Sequence, residues 1–188
     1  MGLDMYLTRR IYIGANYEWN DITGEIDLYK RGNKMPIDLK RVKYIEQEGV
    51  YWRKANEVHK WFVDKVQEGN DDCDEYWVST ENLEELKDRC KKIVDTAIID
   101  NEQITDKDLE DNKILEKILN SSNIDFDKSL AEATLPTQEG FFFGSYEYDQ
   151  YYIYDIVFTY IELQKLLNEE SEFKEKHIDI CYYYHSSW

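Results

Sequence analysis

Asp4-Met5-Tyr6-Leu7-Thr8-Arg9-Arg10-Ile11-Tyr12-Ile13 places Met5, Leu7, Ile11 and Ile13 at alternate positions, with Arg9 as the one interruption. A period of two puts apolar side chains on one face of a strand. The closing stretch repeats the pattern: Ile178, Ile180, Tyr182 and Tyr184 alternate with Asp179, Cys181, Tyr183 and His185. Between the two strands the period becomes helical. Strands at both ends with helices between predict an α+β fold, an antiparallel or mixed sheet with three or more helices packed on one face.

Working inward, Ile26, Leu28 and Lys30 continue a period of two and suggest a second strand returning from a loop over residues 14–24. Trp52, Ala55, His59, Phe62 and Val66 recur at spacings of three and four, which predicts a helix over Tyr51–Val66. Tyr76-Trp77-Val78 reads as a short extended segment, and Ser79 or Thr80 offers an N-cap oxygen to a helix carrying Leu83, Leu86, Cys90, Ile93 and Ala97 on one stripe. A third long helix is expected from about Asp149 to Asn168, its buried side using Ile153, Ile156, Tyr160, Leu163 and Leu167. Residues 99–130 read as an acidic helical insertion around Leu109, Leu115, Ile118 and Leu119, with Thr105 and Asp108 resembling a capping box. Only two prolines and eight glycines are present, and no tract of them marks a linker, so residues 1–188 read as one domain.

The formal charge of −17 is unevenly spread. Residues 30–66 hold ten Lys or Arg against five Asp or Glu, whereas residues 67–188 hold eleven against thirty. Such a balance repels nucleic acid at long range, so direct nucleic-acid binding is disfavoured unless the basic segment at 30–66 forms its own face. No run approaches the ~20 apolar residues of a spanning helix, and Asp4 stands where a signal peptide would be basic, which predicts a cytoplasmic protein with no membrane role. Cys73, Cys90 and Cys181 are too far apart for a metal knuckle and are expected as buried or partly buried thiols.

Several groups could carry function. Arg53, Asn56 and Lys60 would share one face of the first helix and could grip a phosphate or carboxylate, or else pair with neighbouring acids. His59 lies near the apolar stripe, which suits a hydrogen-bonded core histidine better than a base. Asp71, Asp72, Asp74 and Glu75 are oxygen-rich but lack the spacing of a calcium loop, and read as a solvated turn; no metal is expected there. Glu81, Glu84 and Glu85 add to an acidic partner surface. Phe141-Phe142-Phe143 between Gly140 and Gly144 reads as a buried segment, or as the wall of a ligand pocket with Ser145, Tyr148 and Asp149 at its mouth. Tyr146, Tyr148 and Tyr151, with Phe142 and Trp52, supply aromatic anchors, and the acids interleaved with them suit a protein partner better than a nucleic-acid strand. No phosphate-loop, dinucleotide, zinc-protease or nucleophile-elbow motif is present, so no catalytic residue and no cofactor is predicted.

Met1-Gly2-Leu3-Asp4-Met5-Tyr6-Leu7, the run Tyr51-Trp52-Arg53-Lys54-Ala55-Asn56 with His59 and Trp61-Phe62, Asp71-Asp72-Cys73, Leu135-Pro136-Thr137-Gln138 before the Gly140–Gly144 segment, and the closing Ser186-Ser187-Trp188 resemble a family of small phage and prophage proteins with no established activity. The resemblance excludes roughly residues 14–40 and 99–130. It implies phage origin and admits an anti-defence role like that of CRISPR inhibitors. The expected function is therefore a non-enzymatic inhibitor that binds a nucleic-acid-handling effector of the bacterial host, acting in its cytoplasm through acidic and aromatic residues. Two alternatives stand beside it: a nucleotide-like small ligand held near Arg53, Asn56, His59 and the Gly140–Gly144 segment, and nucleic-acid binding through residues 30–66.

Overall fold

The computed structural model describes residues 2–14, 23–140 and 143–188. Its elements in chain order are β1 (Asp4–Tyr12), β2 (Tyr29–Lys30), β3 (Asn33–Lys34), β4 (Tyr44–Arg53), α1 (Asn56–Lys65), β5 (Tyr76–Val78), α2 (Thr80–Val94), β6 (Ile98–Ile99), β7 (Glu102–Gln103), α3 (Asp106–Leu109), α4 (Lys113–Asn120), β8 (Ile124–Asp125), α5 (Lys128–Thr134), α6 (Gln150–Glu175) and β9 (Ile180–Ser187). The fold is α+β. Its principal sheet has the order β4-β1-β9-β5, with every neighbouring pair antiparallel.

Both strands expected at the chain ends form, and they lie side by side, Met5 opposite Ser186 and Ile11 opposite Ile180. Their alternation works as anticipated: Met5, Leu7, Tyr182 and Tyr184 are buried on the helix-covered face, joined by Val50 and Trp52 of β4 and Val78 of β5. Arg9 occupies the buried face because its charge is met there. Its guanidinium donates to Glu169 at 2.7 Å and Gln47 at 2.8 Å, and lies over the Phe173 ring. On the opposite face Tyr6 stacks on His185.

The other neighbour of β1 corrects two expectations. The return strand is β4, not residues 26–30, of which only Tyr29 and Lys30 are extended, in a small exposed hairpin with Asn33 and Lys34. Residues 51–53 accordingly belong to a strand, and the first helix starts at Asn56. Trp52 and Ala55 fit a helical spacing by coincidence. Trp52 is buried by strand alternation, and the chain then turns through Lys54 at φ 65° so that Ala55 enters the same core. Gly49 supplies the extra residue of a bulge opposite Leu7 and Thr8, where a Cβ would stand 2.9 Å from the Leu7 carbonyl oxygen.

Helix α6 is the central element. It packs on β4, α2 and α4, which buries Ile153, Ile156, Leu163 and Leu167 as expected and also Tyr152, Val157, Thr159, Ile161 and Leu166. Thr159 accepts a 2.8 Å bond from the Trp52 indole, tying helix to sheet. In α2 the predicted stripe Leu83, Leu86, Cys90 and Ile93 is buried, with Ser79 capping the helix from the Asn82 amide. The 99–130 segment contains the Thr105–Asp108 capping box and adds a three-stranded sheet, β7-β6-β8, that periodicity in two-residue strands could not signal. Leu109, Leu115 and Ile118 join the same core as the main sheet, while Leu119 stays exposed. Among the described residues Cys90 is buried, Cys73 half-buried and Cys181 exposed, the last because it alternates onto the open face of β9. No described helix is long and apolar enough to cross a membrane.

Candidate functional site

The polar residues singled out around α1 are separated by the turn at Lys54. Arg53 ends β4 with its side chain 67% exposed, 3.9 Å from Asp4. Lys60 pairs with Asp64 at 3.0 Å along α1. Lys60 does follow Asn56 by one turn of α1, but Arg53 does not share their face, because the helix on which all three were to sit begins only at Asn56.

Asn56 is buried and its amide is committed to the chain. Nδ2 donates to the carbonyls of Phe143 (3.1 Å) and Ser145 (2.8 Å), and Oδ1 accepts from the Gln138 amide at 2.8 Å. One side chain thus stitches the 138–145 loop onto the helix. His59 is fully buried, with Nδ1 2.7 Å from the Tyr184 hydroxyl and Nε2 3.2 Å from Asp71, and the Phe143 ring meets it edge-on. Burial lowers its pKa, partly offset by Asp71. The other Asp71 oxygen accepts from the Trp188 indole at 3.1 Å, which anchors the chain's last residue.

The expected acidic surface is divided. Asp71 is held by His59 and Trp188. Asp72 accepts from the Tyr76 hydroxyl, Glu75 from Arg10, and Glu85 pairs with Arg89 and Lys65. Asp74 is exposed in the same loop as Asp72. Glu81 and Glu84, both exposed, line an open groove of α2 with Glu85 and Asp88. Of the aromatics, Trp52 is a core side chain, Tyr146 donates to the Gly140 carbonyl at 2.9 Å, and Tyr148 packs on Tyr152. Phe142 lies outside the described residues. The basic 30–66 segment is distributed over the β2–β3 hairpin, β4 and α1, with Lys34 paired to Asp27.

The structure brings Arg53, Asn56 and Gly144 to one cleft, with acids that the sequence did not single out. A cleft of about 440 Å³ opens between the first turn of α1, the first turns of α6 and the loop at 144–147. Gly144, at φ 95°, lets that loop lie against the turn: a Cβ there would stand 3.1 Å from the Lys54 Cβ. Arg53 and Lys54 border the cleft, Tyr151 and Tyr154 line it, and Glu57 and Asp155 supply carboxyls. Glu57 is only 2% exposed, and its Oε1 has no hydrogen-bond partner among the described residues. Burial raises its pKa well above the ordinary range, with a further contribution from the charge of Asp155. Burial, then the charge of Asp149, pushes Asp155 up to about 7. Asp149 itself is the α6 N-cap, accepting from the Tyr151 amide at 2.8 Å.

A carboxyl that titrates near 7 and a second that burial pushes well above the ordinary range, beside aromatic side chains, can exchange protons or take up a cation. Glu57, an acid between Asn56 and His59, has no signature of burial in the sequence. Asp155 stands out along the chain only as one of the acids interleaved with tyrosines. Among the described residues no group of three or more His, Cys, Asp or Glu side chains is placed to hold a metal.

Fold and cleft together define a two-layer α+β protein with an acid- and tyrosine-lined recess at the paired starts of two helices. No protein-family model, curated protein or solved structure matches the chain.

Proposed function

We propose that the protein is a non-enzymatic binding protein of phage origin that engages a basic, nucleic-acid-handling effector of a bacterial host in its cytoplasm, taking a cationic side chain of that partner into the cleft. The observation that carries this reading is the buried carboxyl of Glu57, held beside Asp155 and Tyr151 in a protein of charge −17. A buried acceptor without a donor costs about 1–3 kcal/mol, which an incoming N–H group recovers. The overall negative charge accelerates encounter with a basic surface and makes the association sensitive to salt. The test is affinity capture of a basic effector at rising salt by the native protein and by Tyr151→Ala and Glu57→Gln. The reading expects capture by the native protein that weakens with salt and is lost in both variants. Equal capture by all three proteins would remove the cleft from the interaction.

A small nucleotide-like ligand is the second reading, favoured by the size of the cleft, which falls within the ~300–1,000 Å³ of small-molecule sites, and by Arg53 and Lys54 at its border. It expects thermal stabilisation by a member of a nucleotide panel, abolished in Arg53→Ala.

A further inference from the structure

We infer that the cleft is a receptor for a planar guanidinium group, with Glu57 and Asp155 as the carboxyls that clasp it. The inference rests on the cationic reading above and narrows it to one chemistry. The first reason is the acceptor set. Glu57 Oε1 is buried without a donor, and Asp155 lines the same recess one and a half turns into α6. A guanidinium presents five in-plane N–H donors and can satisfy two carboxyls at once, whereas an ammonium is a compact, strongly hydrated point charge. The second reason is the wall. Tyr151, 55% exposed, and Tyr154 line the opening, and a flat cation can stack on a tyrosine ring while shedding little hydration.

The remaining charges set the sign. With Glu57 and Asp155 neutral, Glu147 and Asp149 offset Arg53 and Lys54 around the cleft, so a phosphate gains no net attraction inside, whereas a cation meets two carboxyls that can ionise. The two basic side chains stand on one border, where they suit an anionic group carried next to the guanidinium. That group is the carboxylate of free arginine, or an acidic neighbour of an arginine within a protein.

Binding should release protons. In the empty cleft burial favours the neutral acids, and the groups around them are Arg53 at the end of β4, Lys54 after it, Glu147 and Asp149 in the loop, Cys90 of α2, and Tyr152 of α6. Arrival of a fixed positive charge stabilises both carboxylates. The O–H bonds break, the protons pass to buffer, and no other covalent bond changes. Affinity for a guanidinium therefore rises with pH through about 7, where Asp155 titrates.

The experiment is calorimetric titration of the full chain with N-acetyl-arginine amide, N-acetyl-lysine amide, free arginine and a guanine nucleotide, at about pH 6 and about pH 8 in buffers of different ionisation enthalpy. The expected result is that the arginine amide binds about tenfold more tightly than the lysine amide, more tightly at the higher pH, and with proton release. Glu57→Gln should abolish binding, and Asp155→Asn should flatten the rise of affinity around pH 7, each in a protein that melts cooperatively. Binding of free arginine but not the amide supports the guanidinium and assigns it to a small molecule, against the protein-partner reading. Equal affinity for the two amides overturns the guanidinium and leaves a general cation cleft. Binding of the nucleotide alone, or of nothing by a folded protein, overturns both.

Discussion

Replacing Asp155 by Asn should make the protein less sensitive to alkaline pH. The carboxyl is pushed from its ordinary 3.8 to about 7 by burial and by Asp149, so the native state holds a proton that the unfolded chain has released. For a group raised in this way the stabilising contribution is complete below pH 3.8 and is lost as pH rises through 7. Carried in full, that displacement corresponds to about 4 kcal/mol. The side chain keeps part of its surface in water, where screening weakens the penalty, and about 2 kcal/mol is the expected size. Asparagine matches the shape and cannot ionise. Urea unfolding of both proteins at about pH 4.5 and about pH 8 should therefore show the variant gaining roughly 2 kcal/mol on the native protein between the two conditions. Taking the difference cancels the titration of groups whose surroundings the substitution leaves alone. A gap that stays constant with pH would show that Asp155 ionises normally, and the account of the cleft as a desolvated acid site would fail with it.

Asn56→Ala removes three hydrogen bonds to the 138–145 loop and strands buried partners, so a loss of about 2–4 kcal/mol is expected in chemical denaturation, with faster amide exchange in the loop. In Asp71→Asn, His59 loses the carboxylate that opposes the effect of burial; NMR titration of its ring protons should show the pKa lowered further. Because a lowered histidine pKa removes stability as pH falls below 6.5, acid unfolding of that variant should begin at higher pH than in the native protein. Gly144→Ala forces a Cβ to φ 95° and against Lys54, which should cost about 1–3 kcal/mol in thermal or urea unfolding and reduce whatever binding the cleft supports.

Much of the scaffold was readable along the chain. The alternation in residues 4–13 and 178–185 and the three-four spacing of α2 and α6 are local patterns, and each records which face of an element meets the core. Arg9 broke the first pattern, yet it lies on the buried face because Glu169 and Gln47, distant in sequence, satisfy it. Residues 44–53 escaped notice since an edge strand buries little of its length; only Val50 and Trp52 of it are buried, and Trp52 happened also to fit a helical spacing.

The cleft was legible only in part. The sequence points to a pocket near Arg53 and the Gly140–Gly144 segment with Ser145 and Asp149, and the structure brings Arg53, Gly144, Ser145 and Asp149 to its border. Asn56 and His59 turned out to hold the loop and the C-terminal tryptophan rather than to present free polar groups. The two carboxyls that give the recess its chemistry lie about a hundred positions apart, on α1 and α6. Sequence determined that each is an acid on a helix. Only tertiary packing decided that they line one recess largely withdrawn from water, because the cost of ionising a carboxyl is set by what surrounds it in space and not by its neighbours along the chain.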